Sequence, residues 1–290
     1  MYLIDIYGLK NRDVNIVYGG QLDAYSFFET TCEKWFEEFA NEILSAVSKK
    51  YYPVYRLADG ELRFLFGFKI NWRSRPVKSI LTYIKYEIFK RPWKTSWGEK
   101  YNKDELKELK NVLQKCISEI STEGKLAVYW NENGLNAFTE YSSKMQALFS
   151  SINIMLNSKN YVPFHFVQAL LVRRAKELII NKNVLFVSGI DENEFSGLER
   201  NIKSFGAGSV SLYRCSATSA LTEDYAKVLP TAHPDIVFVA AGIGAAKVLS
   251  GLHHLNCPVL DIGSYIHVLS GRLTEAHDGF FIYPPNDKGN

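Results

Sequence analysis

Apolar and polar positions divide this chain into a helical opening, a mixed middle and a regularly alternating end. Across residues 26–49, Phe27, Phe28, Trp35, Phe36, Phe39, Ile43, Leu44 and Val47 recur largely at three-to-four spacing, with acids on the other face. That period predicts an amphipathic helix. Pro53 keeps the chain from turning back into helix, so Val54–Leu57 reads as a short strand. Ala58-Asp59-Gly60-Glu61 then predicts a tight turn, followed by the apolar Leu62–Phe68. A second helix is expected over Asp104–Ile120, a strand over Lys125–Tyr129 and a third helix over Phe164–Ile180.

From Asn183 onward the period switches regularly. Val184–Ser188, Ser209–Tyr213, Ile236–Ala240 and Pro258–Ile262 read as strands, and Glu194–Phe205, Ala217–Leu229 and Ala245–Leu255 as helices. Continuous apolar strands between helices of about ten residues imply a parallel sheet covered on both faces. The expected fold is therefore α/β and Rossmann-like, a mostly parallel sheet in one domain. Within it, residues 1–50 form a helical portion, 51–182 a middle segment and 183–290 the nucleotide-binding portion. Right-handed crossovers place the carboxyl ends of the strands along one edge.

Composition narrows the classes. With 47% hydrophobic and 22% charged residues the chain can bury a substantial core, and a net charge of +3 is too small to argue for nucleic acid. Four cysteines, far apart and without a CxxC pair, suggest reduced buried thiols rather than zinc or disulfides. Asp5 interrupts the first apolar stretch, no basic segment precedes it, and the longest apolar run, Ile236–Ala246, is too short to span a bilayer. The expectation is a cytoplasmic protein, soluble or peripherally membrane-associated.

Candidate chemistry gathers on the predicted edge. Ser188 and Gly189, Gly242 and Gly244, and Gly263 lie in loops that follow strands, where glycine lets the backbone approach a ligand. Turn glycines also arise for steric reasons alone, and that alternative stands beside the first. Lys247 breaks the full GxGxxG pattern, which weighs against a dinucleotide oxidoreductase. Asp59 and Glu61 flank Gly60 immediately after a strand and offer the hard oxygens that Mg²⁺ or Mn²⁺ prefers; the plain alternative is an Asp-Gly turn followed by a surface glutamate. Arg56 could balance these acids or contact a phosphate. Asp261, His267, Glu192 and Glu194 are candidate proton acceptors near the same edge, with Asp261 first because it ends a buried strand. A capping role for Asp261 is the competing reading.

The segment Arg56-Leu57-Ala58-Asp59-Gly60-Glu61, with Gly67 beyond it, resembles the signature of GT-D-fold glycosyltransferases, a family formerly catalogued as the domain of unknown function DUF1792. Asp235 to Leu249 and Val259-Leu-Asp-Ile-Gly263 are similar to later segments of that family, in the same order. The resemblance implies metal-dependent transfer of a hexose or pentose from a nucleotide-sugar donor, such as a UDP-sugar, to an oligosaccharide or glycoprotein glycan. On it, Asp59 and Glu61 become the residues of a Mn²⁺ or Mg²⁺ site. The chain departs from the family where Gly242-Ile243-Gly244-Ala245 replaces Gly-Pro-Thr-Ala, and where Ser264 replaces a histidine, although His267 follows. Another Rossmann-like transferase, such as a methyltransferase using Gly189 and Asp191, and a non-catalytic sugar-binding module are the alternatives.

Residues 68–100 carry nine Lys or Arg against Glu87 and Glu99, interleaved with aromatics. Because they follow the Asp-Gly-Glu motif, an acceptor platform is the first functional reading, with an anionic membrane surface and single-stranded nucleic acid as others. The plain alternative is a partly buried helix over Ser79–Phe89, with Ile80, Tyr83, Ile84 and Phe89 inward and its lysines solvated.

Overall fold

Helix α1 (Cys32–Ala46) turns Trp35, Phe36, Phe39 and Ile43 into the core. Its rings meet the chain edge-on: Trp35 lies 5.4 Å from Tyr161 and Phe36 5.5 Å from Phe166 between centroids. The computed structural model describes residues 32–67, 76–89, 91, 93–94, 100–101, 103–128, 141–216, 220–228, 230 and 232–272. Positions 26–31 of the predicted first helix lie outside them.

Strand β1 (Tyr52–Arg56) leads into α2 (Asp59–Phe66), then α3 (Pro76–Tyr83) and a π-turn at Ile84–Ile88. A small antiparallel pair, β2 (Trp93–Lys94) and β3 (Lys100–Tyr101), precedes α4 (Lys103–Glu123) and β4 (Lys125–Val128). After α5 (Ser142–Ser151) come β5 (Tyr161–Pro163), α6 (Phe166–Arg173), α7 (Ala175–Ile179) and β6 (Asn183–Ser188). Helix α8 (Glu192–Ser204), β7 (Ser209–Arg214), β8 (Ile236–Ala240), α9 (Ala245–Gly251), β9 (Pro258–Asp261) and α10 (Tyr265–Leu269) complete the order.

Seven strands form one all-parallel sheet in the order β5-β4-β1-β9-β8-β6-β7. Strands β8 and β9 are buried along their whole length and the edge strand β7 is not, as expected where helices cover both faces of a sheet. The β1-to-β4 and β8-to-β9 crossovers run towards one edge of the sheet, and β5-to-β6 and β6-to-β7 towards the other. Right-handed connection then puts α4 and α9 on one face, where they pack together, and α6, α7 and α8 on the opposite face. The chain leaves neighbouring β6 and β8 in opposite directions, which opens a crevice at their carboxyl ends.

Several boundaries differ from expectation. The Phe164–Ile180 helix divides at Arg174 and is preceded by an unpredicted strand, β5. Among the described residues of Ala217–Leu229 there is only a 3₁₀ turn at Tyr225–Lys227, since Asp224 caps Ala226 there and Val228 is already extended. Residues 51–182 contribute three strands, β1, β4 and β5, to the same sheet as the four strands after Asn183. Cys116, Cys215 and Cys257 are free and buried. No helix among the described residues is long and apolar enough to cross a membrane.

Candidate active site at the carboxyl edge of the sheet

Beyond β1, Asp59-Gly60 opens a helix and does not form the expected tight turn. The reason is local: Glu61 stands three residues after the N-cap, Ala58, and its Oε2 accepts the Ala58 amide at 3.1 Å. This is the returning half of a capping box, and the Ala-x-x-Glu spacing ahead of Leu62 could have signalled it. Glu61 is also buried, so it is not the surface glutamate of the plain alternative. Burial first, and the charge of Asp261 second, push its carboxyl up to about 7, against weaker lowering by its own amide, the Ala58 amide and Arg56.

Asp261 ends β9, beside β1. Its Oδ2 accepts the Arg56 amide at 3.2 Å and its Oδ1 the Gly263 amide at 3.0 Å. Burial raises this carboxyl to about 6, with Arg56 opposing. The Arg56 guanidinium is itself buried: it donates to the Ile262 carbonyl at 2.7 Å and lies 4.5 Å over the Phe164 ring. Gln168, with its amide oxygen turned toward Arg56, accepts from Nη1 at 2.6 Å and Nη2 at 2.9 Å. His165 is buried nearby, and burial together with the Arg56 charge holds its imidazole neutral. Gly263 has φ +49°, and a Cβ there would lie 3.2 Å from Arg56 Nη1, so this glycine makes room for the guanidinium. Sequence reasoning missed His165 and Gln168. The available signal was a polar residue inside the apolar run Phe166–Leu171.

Two of the glycine loops, at Gly242–Gly244 and at Gly263, meet this centre. Helix α2, which carries Glu61, packs against the 3₁₀ turn Gly242–Gly244. Gly242 takes φ +52°, whereas Gly244 answers a packing need, because a Cβ there would meet Ala220 Cβ at 2.2 Å. Ser188 is buried and donates its hydroxyl to the Ala240 carbonyl at 3.1 Å, bracing β6 against β8 below Gly189.

A second polar cluster occupies the same edge on the other face. Asp191 caps α8, accepting the Glu194 amide at 2.9 Å. Glu194 then accepts His267 Nδ1 at 2.5 Å, Arg272 Nη1 at 2.9 Å and the Ser270 hydroxyl at 3.0 Å. Burial alone would raise Glu194, but donation from His267, Arg272 and Ser270 outweighs it and the carboxyl is lowered. With Nδ1–H given to Glu194, the neutral His267 ring carries its lone pair on Nε2. Two sequence candidates, Glu194 and His267, are thereby brought together. Glu192 is not part of this cluster; it is exposed and pairs with Arg214, which also donates to the Ile190 carbonyl at 2.9 Å.

Of the two carboxylates expected to hold a divalent cation, only that of Glu61 is among the described side chains. At 3.6 residues per turn, the first and third positions of α2, Asp59 and Glu61, lie about 200° apart around its axis. Glu61 folds back onto its own helix start, and the Asp59 side chain lies outside the described residues. Among the described residues, no group of three or more His, Cys, Asp or Glu side chains converges where it could hold a metal. A cavity of about 670 Å³ lies between α6, α7, α8 and α10.

No protein-family model matches the chain, and no curated protein matches it either. Two solved structures do, each covering 83% of this chain and 86% of its own, with a TM-score of 0.45. One, 16% identical, is described under the words "The highly conserved domain of unknown function 1792 has a distinct glycosyltransferase fold"; the other, 17% identical, is a selenomethionine-substituted structure of the same domain. This is the family that the Asp-Gly-Glu segment resembles.

Proposed function

We propose that the chain is a glycosyltransferase that takes a hexose or pentose from a nucleotide-sugar donor, in first place a UDP-sugar, and passes it to a glycan acceptor at the carboxyl edge of the sheet. One observation carries this reading: Glu61 and Asp261, on different elements, are buried together where α2 meets the Gly242–Gly244 turn, beside the crevice between β6 and β8. Burying two acids in mutual repulsion is costly, and proteins concentrate such perturbed groups at functional sites. The Arg-x-x-Asp-Gly-Glu motif supplies the sugar-nucleotide reading.

In this scheme Gly242 and Gly189 line the donor crevice with backbone. The α8 end is negatively charged at Asp191, Glu192 and Glu194, which suits hydroxyl groups of ribose or sugar better than phosphate. The proton of the acceptor hydroxyl goes to His267 Nε2, with Glu194 fixing the tautomer and stabilising the imidazolium that results. Asp261 ranks below it, because both of its oxygens already accept backbone amides and it faces the core. Its role is to hold Arg56, β1 and the Gly263 turn in register. A Mn²⁺ or Mg²⁺ ion held by Asp59 and Glu61 is a separate proposal, and its support is the Asp-Gly-Glu motif.

The test is a panel of nucleotide sugars, each with Mn²⁺ and with EDTA, read by thermal stabilisation and donor hydrolysis. The expected result is stabilisation by UDP and slow hydrolysis of one UDP-sugar, lost in His267→Ala with UDP binding retained. Stabilisation by S-adenosylmethionine and by no nucleotide sugar would transfer the site to the methyltransferase reading. Glycan binding without turnover would make it a binding module.

A further inference from the structure

Segment 76–89 is helical, yet it buries none of its side chains. Its exposed positions are 76, 77, 78, 81, 85, 88 and 89, one side of the helix at three-to-four spacing. That outer side is the apolar one: Val77 is 70% exposed, Leu81 63%, Ile88 60% and Phe89 69%. Single exposed apolar residues are ordinary, but four on one stripe within 13 residues form a continuous patch. Phe89 joins it because its amide bonds back five residues to Ile84, at 2.9 Å, so the π-turn winds an additional residue into the helix. The expectation that Phe89 points inward is corrected accordingly, while Ile80, Tyr83 and Ile84 are half-buried on the inner side.

Charge on the same side has one sign. Lys78, Lys85 and Arg91 are exposed along it. Glu87 is the only acid between residues 76 and 91, and it turns inward: a Cβ on Gly67 would meet its Oε1 at 2.5 Å. The stripe thus combines apolar tips with a cationic flank and presents no acid. Self-pairing about a two-fold axis would bring Lys78 and Lys85 of one copy up to the same lysines of the other, like charge against like, which disfavours a second copy of the chain as the occupant.

We infer that this face of α3 and the π-turn docks the protein on an anionic bilayer surface, with Val77, Leu81, Ile88 and Phe89 at the acyl boundary and Lys78, Lys85 and Arg91 among the headgroups. An interfacial helix needs that division of labour: burial of the apolar side chains, plus attraction to anionic lipid. Gly67, which Glu87 covers, ends the helix that carries Glu61, so docking would hold the carboxyl edge of the sheet beside the membrane.

The experiment is co-sedimentation of the full chain with phosphatidylcholine vesicles with and without phosphatidylserine, at low and at raised salt. Wild-type protein is expected to bind the phosphatidylserine vesicles and to be partly released by salt. Leu81→Ser and Ile88→Ser should each weaken partitioning about tenfold, and Lys78→Glu and Lys85→Glu each by at least about fivefold. All four positions are exposed, so thermal melts should stay at the wild-type value, and the apolar and charge variants test the face independently. Lack of binding to anionic vesicles at low salt would overturn the inference, as would binding that none of the variants alters. Sedimentation velocity showing a dimer that Leu81→Ser dissolves, without vesicle binding, would assign the face to a second copy and overturn it equally.

Discussion

Two acidic clusters sit on the same edge of one sheet and respond to burial in opposite ways. Glu61 and Asp261 keep 7% and 5% of their surface exposed and Glu194 keeps 8%, yet the first two are pushed up and Glu194 is drawn down. Depth is one reason. Asp261 ends an interior strand and Glu61 stands in the first turn of the helix that follows another, whereas Glu194 is covered by a thin layer that includes Arg272, itself 64% exposed. Donors are the other. Glu194 accepts three side-chain donors, two of them cationic or able to become so, while Asp261 and Glu61 rely on backbone amides and share a single guanidinium. A buried acid is therefore tuned by what donates to it, and low exposure by itself does not decide the direction.

The largest test of this contrast removes the shared cation. Arg56→Met leaves the Ile262 carbonyl and two buried acids without it and should cost about 3–5 kcal/mol in urea unfolding. Arg56→Lys should rescue little, since a point charge reproduces neither the two bonds to Gln168 nor the ring contact with Phe164. A loss below about 1 kcal/mol would mean that the guanidinium does not hold the centre together. Next comes chemistry. In the proposed transfer, His267→Asn should lower kcat by about 100-fold or more with donor KM unchanged, and Asp261→Asn should act mainly through stability. The reverse ranking would move the base to the deep cluster.

Opposite pH slopes sharpen the comparison further. Glu61 has its carboxyl raised from 4.5 to about 7 on folding, so the associated stability is complete below about pH 4.5 and is lost as pH rises through 7. Glu61→Gln cannot ionise and still offers an oxygen to Ala58, so the variant should gain on wild type steadily between pH 5 and 8. Glu194 is lowered, so its stability is present above the unfolded value and disappears as acid protonates it. Glu194→Gln should therefore be most damaging at neutral pH and nearly harmless in acid, as read from thermal melts across the range. Parallel slopes for the two variants would break the distinction. The smallest effect belongs to Glu192→Ala, which removes an exposed pair with Arg214 and should change stability by less than about 1 kcal/mol.

Much of the sheet was legible, because interior strands of a parallel sheet are continuous apolar runs: Val184–Ser188, Ile236–Ala240 and Pro258–Asp261 stand close to where periodicity places them. The short β5 was not, since three residues carry no period. The helix after β1 was hidden by Asp-Gly, a turn dipeptide whose local preference was outweighed by Glu61 capping from three residues on. In the segment 76–89 the apolar period was visible, but which side it turned to was not. A helix wheel has no outside until something packs on the inside.

Sequence by itself determined the class of fold and which loops follow the strands, because both depend on contacts or turns a few residues apart. Only the tertiary structure decided the partnerships. Glu61 is set against Asp261, Arg56 is buried with His165 and Gln168, and His267 is held by Glu194, 73 residues away in sequence. The physical reason is that a side chain's charge state depends on water excluded and donors supplied by strands that meet only after the chain has crossed the sheet.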